Sequence, residues 1–136
     1  MDKKLIERSD ILGDWINADK TSKTQIYEDP ESSCFHAKVT WILKDESNPD
    51  GPELDCNNPD ESLRQRRISG LEFITGLQFN ERKKEWQGGR IYSPKDGKTF
   101  YLKVWFLDNK DTLNLRPSVD AMGITGKNLN WYRYSE

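Results

Sequence analysis

The stretch ISGLEFITGLQFNERKKEWQGGRIYSPKDGKTFYLKVWFLDNKDTLNLR, residues 68–116, decides the fold. Residues 99–107 are apolar on both faces. Phe100, Leu102, Val104 and Phe106 stand on one side, and Tyr101, Trp105 and Leu107 on the other. Such a strand has both faces covered, or one face lining a cavity. Residues 68–79 read as strand material interrupted by Gly70 and Gly76, and glycines inside strands mark bulges or bends where a barrel turns a corner. Three polar turns punctuate the run, at residues 80–84, 93–97 and 108–111. The second sets Pro94 and Gly97 where a tight reversal wants them. Hairpins in close succession predict an antiparallel meander rather than parallel βαβ units.

Outward from this segment the same period continues. Phe35, Ala37, Val39, Trp41 and Leu43 alternate with Cys34, His36, Lys38 and Thr40, the pattern of a long half-buried strand. Weaker strands are expected at residues 112–116 and 129–134, with early ones around Trp15 and Ile26-Tyr27. One short helix is predicted over residues 59–66. Asn58 supplies its cap, Pro59 its first position, Asp60 and Glu61 complement its positive end, and Leu63 packs it on the sheet. The long polar loop before it, residues 45–57, has the length of a functional or mobile segment. The expectation is an all-β, up-and-down barrel of about eight strands over residues 11–136, preceded by an N-terminal extension at 1–10.

Composition narrows the function classes. In 136 residues only 34% are hydrophobic and 32% are charged, so five Trp, five Tyr and five Phe must supply much of a single core. A net charge of −2 disfavours binding nucleic acid through counterion release, although Arg64, Arg66 and Arg67, and Arg82, Lys83 and Lys84, form basic clusters. No apolar run reaches the roughly 18 residues a membrane-spanning helix needs. Leu5-Ile6 is cut off by charged neighbours, so no signal-peptide core can be drawn. Either the protein is cytoplasmic or an export signal has been removed. Cys34 and Cys56 fit a disulfide or two free thiols equally.

Candidate chemistries are weighed against plainer roles. The single histidine, His36, lies on a polar strand face with no serine in a Gly-x-Ser-x-Gly elbow, which suits a surface residue better than a catalytic base. Cys34, His36 and Cys56 lack zinc-site spacing. Asp55, Asn57, Asp60 and Glu61 resemble a calcium loop, but Pro59 and the missing mid-loop glycine break that pattern, and capping accounts for Asn58, Asp60 and Glu61. Asp55 is left for an ion pair with Arg64 or Arg66. The acids lie in turns, with no pair assignable to glycoside hydrolysis.

The motifs Asp55-x-x-Asn58-Pro59, Leu63-Arg64-x-Arg66-x-Ile68-x-Gly70-Leu71 and Trp86-x-Gly88-Gly89-x-Ile91-Tyr92-x-Pro94-x-Asp96-Gly97-x-x-x-Tyr101 resemble DUF2147, a bacterial family of unknown function. The likeness runs from Gly13-x-Trp15 to Trp131-x-Arg133. It implies a lipocalin-like β-barrel in a small bacterial protein, usually carrying an export signal. It also implies that Trp15, Trp131 and Arg133 close the barrel base and bind nothing. The chain departs from the family at Pro117-Ser118-Val119, where glycine and an aromatic are common, and at His36.

Trp86, Arg90 and Tyr92 differ by even numbers and are therefore expected on one strand face, with Gly88 leaving space between them. A mixed aromatic and cationic face of this kind suits a small-molecule pocket, or a solvent face with cross-strand stacking. The expected function is non-catalytic binding of a small amphipathic or apolar molecule, with an acidic group facing arginine and no cofactor. Trp41, Arg64, Arg66, Trp86, Arg90, Tyr92 and Trp105 are the expected ligand contacts, while Trp15, Asp55, Asn58, Trp131 and Arg133 are structural. The alternative is a protein-interaction module of the cell envelope without a cavity.

Overall fold

Eight strands close on one another in sequence order, each antiparallel to the next, and the last returns to the first. They are β1 (Gly13–Asn17), β2 (Ser22–Glu28), β3 (Phe35–Ile42), β4 (Glu72–Asn80), β5 (Glu85–Ser93), β6 (Lys98–Phe106), β7 (Thr112–Ser118) and β8 (Leu129–Arg133) in a computed structural model that describes residues 1–135. Closure removes sheet edges, which suits a chain too poor in apolar residues to cover them another way. Alternation supplies the interior. Phe35, Ala37 and Val39 on β3 and Leu102, Val104 and Phe106 on β6 all point inward and are buried.

Bulges reset this alternation, and two sequence expectations fail there. Gly76 and Gly88 lie beside each other on β4 and β5, both at φ 76°, a backbone conformation that costs a residue with a Cβ. Each adds one residue, so Trp86 pairs inward with Phe79, yet Gly89 and Ile91 are the next inward positions. Arg90 therefore faces away from the interior that holds Trp86, while Tyr92 borders the mouth and turns its hydroxyl to Asp55, so the single face expected for all three does not exist. On β3 a register shift opposite Lys23 and Thr24 likewise takes Trp41 out of phase with Val39 and sets it against Lys23.

The helix is also displaced. A short α-helix, α1 (Leu43–Ser47), follows β3 directly, while residues 59–66 hold only a 3-10 turn at Glu61–Leu63. Asp60 caps that turn through the Ser62 amide, Asn58 Oδ1 accepts the Asp60 amide at 2.8 Å just before it, and Leu63 stays exposed instead of packing on the sheet.

The core fills the lower part of the barrel. Trp86 stands edge-on to Phe106, with centroids 5.4 Å apart and planes at 85°, and Trp15 lies 6.2 Å from the same ring. The N-terminal residues do not stand apart from this core. Ile6 and Ile11 are buried in it, a 3-10 turn at Arg8–Ile11 passes under the barrel, and the Trp86 indole donates to the Arg8 carbonyl at 3.2 Å. No helix among the described residues is long and apolar enough to cross a membrane.

Candidate functional site

The opposite end of the barrel is open and holds a cavity of about 510 Å³. Its wall is built by the inward faces of four strands and one bulge. Ile91 comes from β5, Phe100 from β6, Pro117 from β7, and Leu129 and Trp131 from β8. Phe73 joins them because a shift in the β3–β4 register at Ala37 and Lys38 sets it beside Trp131, with ring centroids 6.2 Å apart. The rim is more polar and includes Ser93, Asp96, Thr125 and Lys127. Apolar walls with a few polar groups at the entrance, and a volume within roughly 300–1,000 Å³, are features this cavity shares with small-molecule sites in general.

Two loops hold the entrance open from either side. On one side the segment between α1 and β4 is pinned to the β5–β6 hairpin. Asn57 donates through Nδ2 to the Pro94 and Lys95 carbonyls at 3.3 and 3.0 Å. A Cβ on Gly97, where φ is 65°, would fall 2.0 Å from the Asn57 carbonyl oxygen, so only glycine allows this approach.

Asp55 is the hub of the attachment. It is fully buried and accepts from the Tyr92 hydroxyl at 2.6 Å, Asn58 Nδ2 at 2.8 Å and Arg66 Nε at 2.9 Å. Burial pushes the Asp55 carboxyl up, but the Tyr92, Asn58 and Arg66 donors outweigh it and hold the group below the usual carboxylate range. Burial, together with the same contact, pushes the Tyr92 phenol up to about 12.

On the other side lies the loop between β7 and β8, residues 119–128. Asp120 accepts from the Ile124 and Thr125 amides at 2.9 and 2.6 Å. Arg116 donates to the Gly123 and Ile124 carbonyls and to Asn128 Oδ1. The Pro117-Ser118-Val119 segment, where the sequence departs from the DUF2147 pattern, forms part of the cavity wall.

Of the seven expected ligand contacts, Tyr92 lines the cavity. Trp86 is in the filled core. Trp41 packs outside, donating to Glu46 Oε1 of α1 at 2.8 Å beneath the Lys23 ammonium. Arg64 donates to the Asn58 carbonyl and Arg66 to Asp55, so both brace the loop. Arg90 stacks on Tyr101 on the outer wall, 4.0 Å from the ring centroid. Trp105 stands opposite Asn114 on the outward phase of β6. Arginine is absent from the lining, so an acidic ligand group would meet Lys127 there, not a guanidinium.

Among the residues expected to be structural, Trp131 lines the cavity, and Asp55 and Asn58 belong to the hub. Trp15 and Arg133 sit at the base, with the guanidinium 4.3 Å from the indole. Phe73, Ile91, Phe100, Pro117 and Leu129 were not anticipated as ligand contacts. The doubly apolar pattern of residues 99–107 was the available signal for Phe100.

The remaining chemistry is structural. His36 accepts the Gly76 amide on Nδ1 at 3.1 Å, with Nε2 3.4 Å from Asp29, so the ring satisfies a donor left free at the β4 bulge. Cys34 and Cys56 are free thiols. At the cavity rim the Ser93 hydroxyl donates to Asp96 Oδ2 at 2.9 Å.

Comparison with curated proteins gives no match. Among solved structures, the chain is similar to Protein HP1028 from the human pathogen Helicobacter pylori, described as belonging to the lipocalin family. The two share 26% identity and a TM-score of 0.76 over 93% of this chain and 84% of that one. The family model DUF2147, uncharacterized protein conserved in bacteria, matches residues 13–133. A match over that span, on a closed eight-stranded barrel of lipocalin-like form, makes this chain a member of DUF2147.

Proposed function

We propose that the protein binds a small apolar or amphipathic molecule in the mouth of its barrel. The observation that carries this reading is the cavity of about 510 Å³ walled by Phe73, Ile91, Phe100, Pro117, Leu129 and Trp131. Leaving that much apolar surface unfilled forfeits packing that the base of the same barrel makes, and a ligand recovers it. The apolar part lies against Phe73 and Trp131, and the polar part reaches the rim near Lys127. A lipocalin-like neighbour supports the same reading by its fold.

Titration with anilinonaphthalenesulfonate tests it. Wild-type protein takes up one equivalent saturably, with near-ultraviolet circular dichroism unchanged. Leu129→Arg, at a partly exposed position on the wall, weakens binding tenfold or more without lowering the melting temperature. Native mass spectrometry of protein from its own host then identifies the class of any molecule carried. Weak, unsaturable dye uptake that Leu129→Arg leaves unchanged would rule the cavity out as a binding site.

A further inference from the structure

The loop over residues 119–128 carries three largely exposed apolar side chains: Val119, Met122 and Ile124 are 64%, 74% and 76% exposed. The loop is not loose. Arg116, Lys103 and Asp120 anchor it from below, so it presents these side chains on a fixed support. Lys103 and Arg116 stand directly opposite each other on β6 and β7, where like charges repel. Arg90 lies one strand further along, exposed beside Tyr101. Among the described residues no carboxylate forms an ion pair with any of the three. A groove of about 270 Å³ runs between Arg90, Tyr101, Lys103 and Ala121 under the loop. A chain of net charge −2 thus gathers unpaired positive charge on one outer wall, beside an exposed apolar tip.

We propose that this face docks on a lipid surface bearing anionic headgroups, with Val119, Met122 and Ile124 entering the interface and Arg90, Lys103 and Arg116 meeting the phosphates. Apolar side chains on a rigid loop, flanked by cations and an aromatic, match the layered chemistry of such a surface from acyl chain to headgroup. A protein partner would need acidic groups set around an apolar socket, whereas a lipid surface offers both without a defined shape. Val119 also lines the cavity, as do Thr125, Gly126 and Lys127 of the same loop. Docking therefore brings the mouth of the barrel to the lipid, where an apolar molecule can pass without crossing water. The overall negative charge makes the attraction local and sensitive to salt.

Co-sedimentation tests the surface separately from the cavity, since dye uptake is read without vesicles. Wild-type protein pellets with phosphatidylcholine vesicles containing about a third phosphatidylserine and stays in solution with phosphatidylcholine alone. Raising the salt releases it. Met122→Asp with Ile124→Asp abolishes pelleting, and Arg90→Glu weakens it about tenfold. All three positions are exposed, so melting temperatures match the wild type. Wild-type protein that ignores phosphatidylserine vesicles, or a loop variant that pellets as well as wild type, overturns the inference while leaving the cavity reading intact. A concentration-dependent dimer in sedimentation velocity that the loop variant dissolves would also overturn it, assigning the tip to a second copy.

Discussion

The two ends of this barrel use the same aromatic residues to opposite effect. At the base, Trp15, Trp86 and Phe106 interlock, and Arg133 locks the closure. It stacks on Trp15 and donates to the Leu12, Asp10 and Lys110 carbonyls at 3.0, 2.8 and 2.9 Å. At the mouth, Phe73 lies against Trp131 with centroids 6.2 Å apart, but these rings and Phe100 border the cavity instead of closing it. The connections explain the contrast. Base hairpins are short, and the N-terminal segment folds under them with Ile6 and Ile11 in the core. The longer mouth loops are fastened sideways to hairpins and strands, through Asn57, Asp55 and Arg116, instead of crossing the opening. Hydrophobic packing holds one end, and hydrogen bonds along the wall hold the other. The base fixes the fold, and the mouth is left open.

Truncating one tryptophan at each end gives the largest separation. Trp15→Ala removes a fully buried side chain and the platform for Arg133, and should cost about 4 kcal/mol in urea denaturation. Trp131→Ala removes a side chain that already borders open volume, so a cost of about 2 kcal/mol is expected, together with altered dye affinity. Equal losses, or a change in dye affinity from the base variant alone, would break the distinction between the ends.

The polar fastening comes next in size. Asp55→Asn keeps the shape but removes the charge that Arg66 meets, and should cost about 2 kcal/mol near pH 7. Because folding lowers the Asp55 pKa, its stabilisation is complete above the ordinary carboxylate value of about 4. It is lost as pH falls through the lower folded value. Wild type and variant should therefore converge in acid. A gap that persisted to the lowest pH would mean the cost is one of shape, not of charge.

The fold was legible because its punctuation is local. Each polar turn between residues 80 and 111 sits between runs of period two, and hairpins follow from that alone. The candidate site was not, because side-chain phase has to be carried along a strand and a bulge resets it. Counting by twos from Arg90 reaches Trp86 on paper, yet Gly88 inserts a residue and sends the indole into the core. Trp41 fails likewise at the β2–β3 shift. The arginines were read two ways, since a guanidinium in a loop matches a ligand carboxylate and a buried aspartate equally well. The ion pair expected for Asp55 with Arg64 or Arg66 forms with Arg66, which keeps that side chain out of the cavity lining. The helix expected over residues 59–66 is a single 3-10 turn capped by Asp60, although Asn58 Oδ1 also accepts the Asp60 amide.

The smallest effect probes the fastening from its other partner. Tyr92→Phe removes one hydrogen bond to Asp55 and leaves Asn58 and Arg66 in place, so about 1 kcal/mol is expected at neutral pH. Folding raises the Tyr92 pKa from an ordinary value of about 10 to about 12. Its contribution is therefore whole below the ordinary value and fades as pH climbs through the folded one, where a phenolate would face the Asp55 carboxylate. Tyr27, on the outer wall against Glu72, is also pushed up to about 12. Ultraviolet titration of the wild type should thus include two late-ionising tyrosines, and Tyr92→Phe should remove one of them. In alkali the loop over residues 48–71 should lose hydrogen-exchange protection while the base, built on packing, keeps its own. If both ends lose protection together in that range, the barrel opens as one unit, and the mouth is not the separately held region its hydrogen bonds describe.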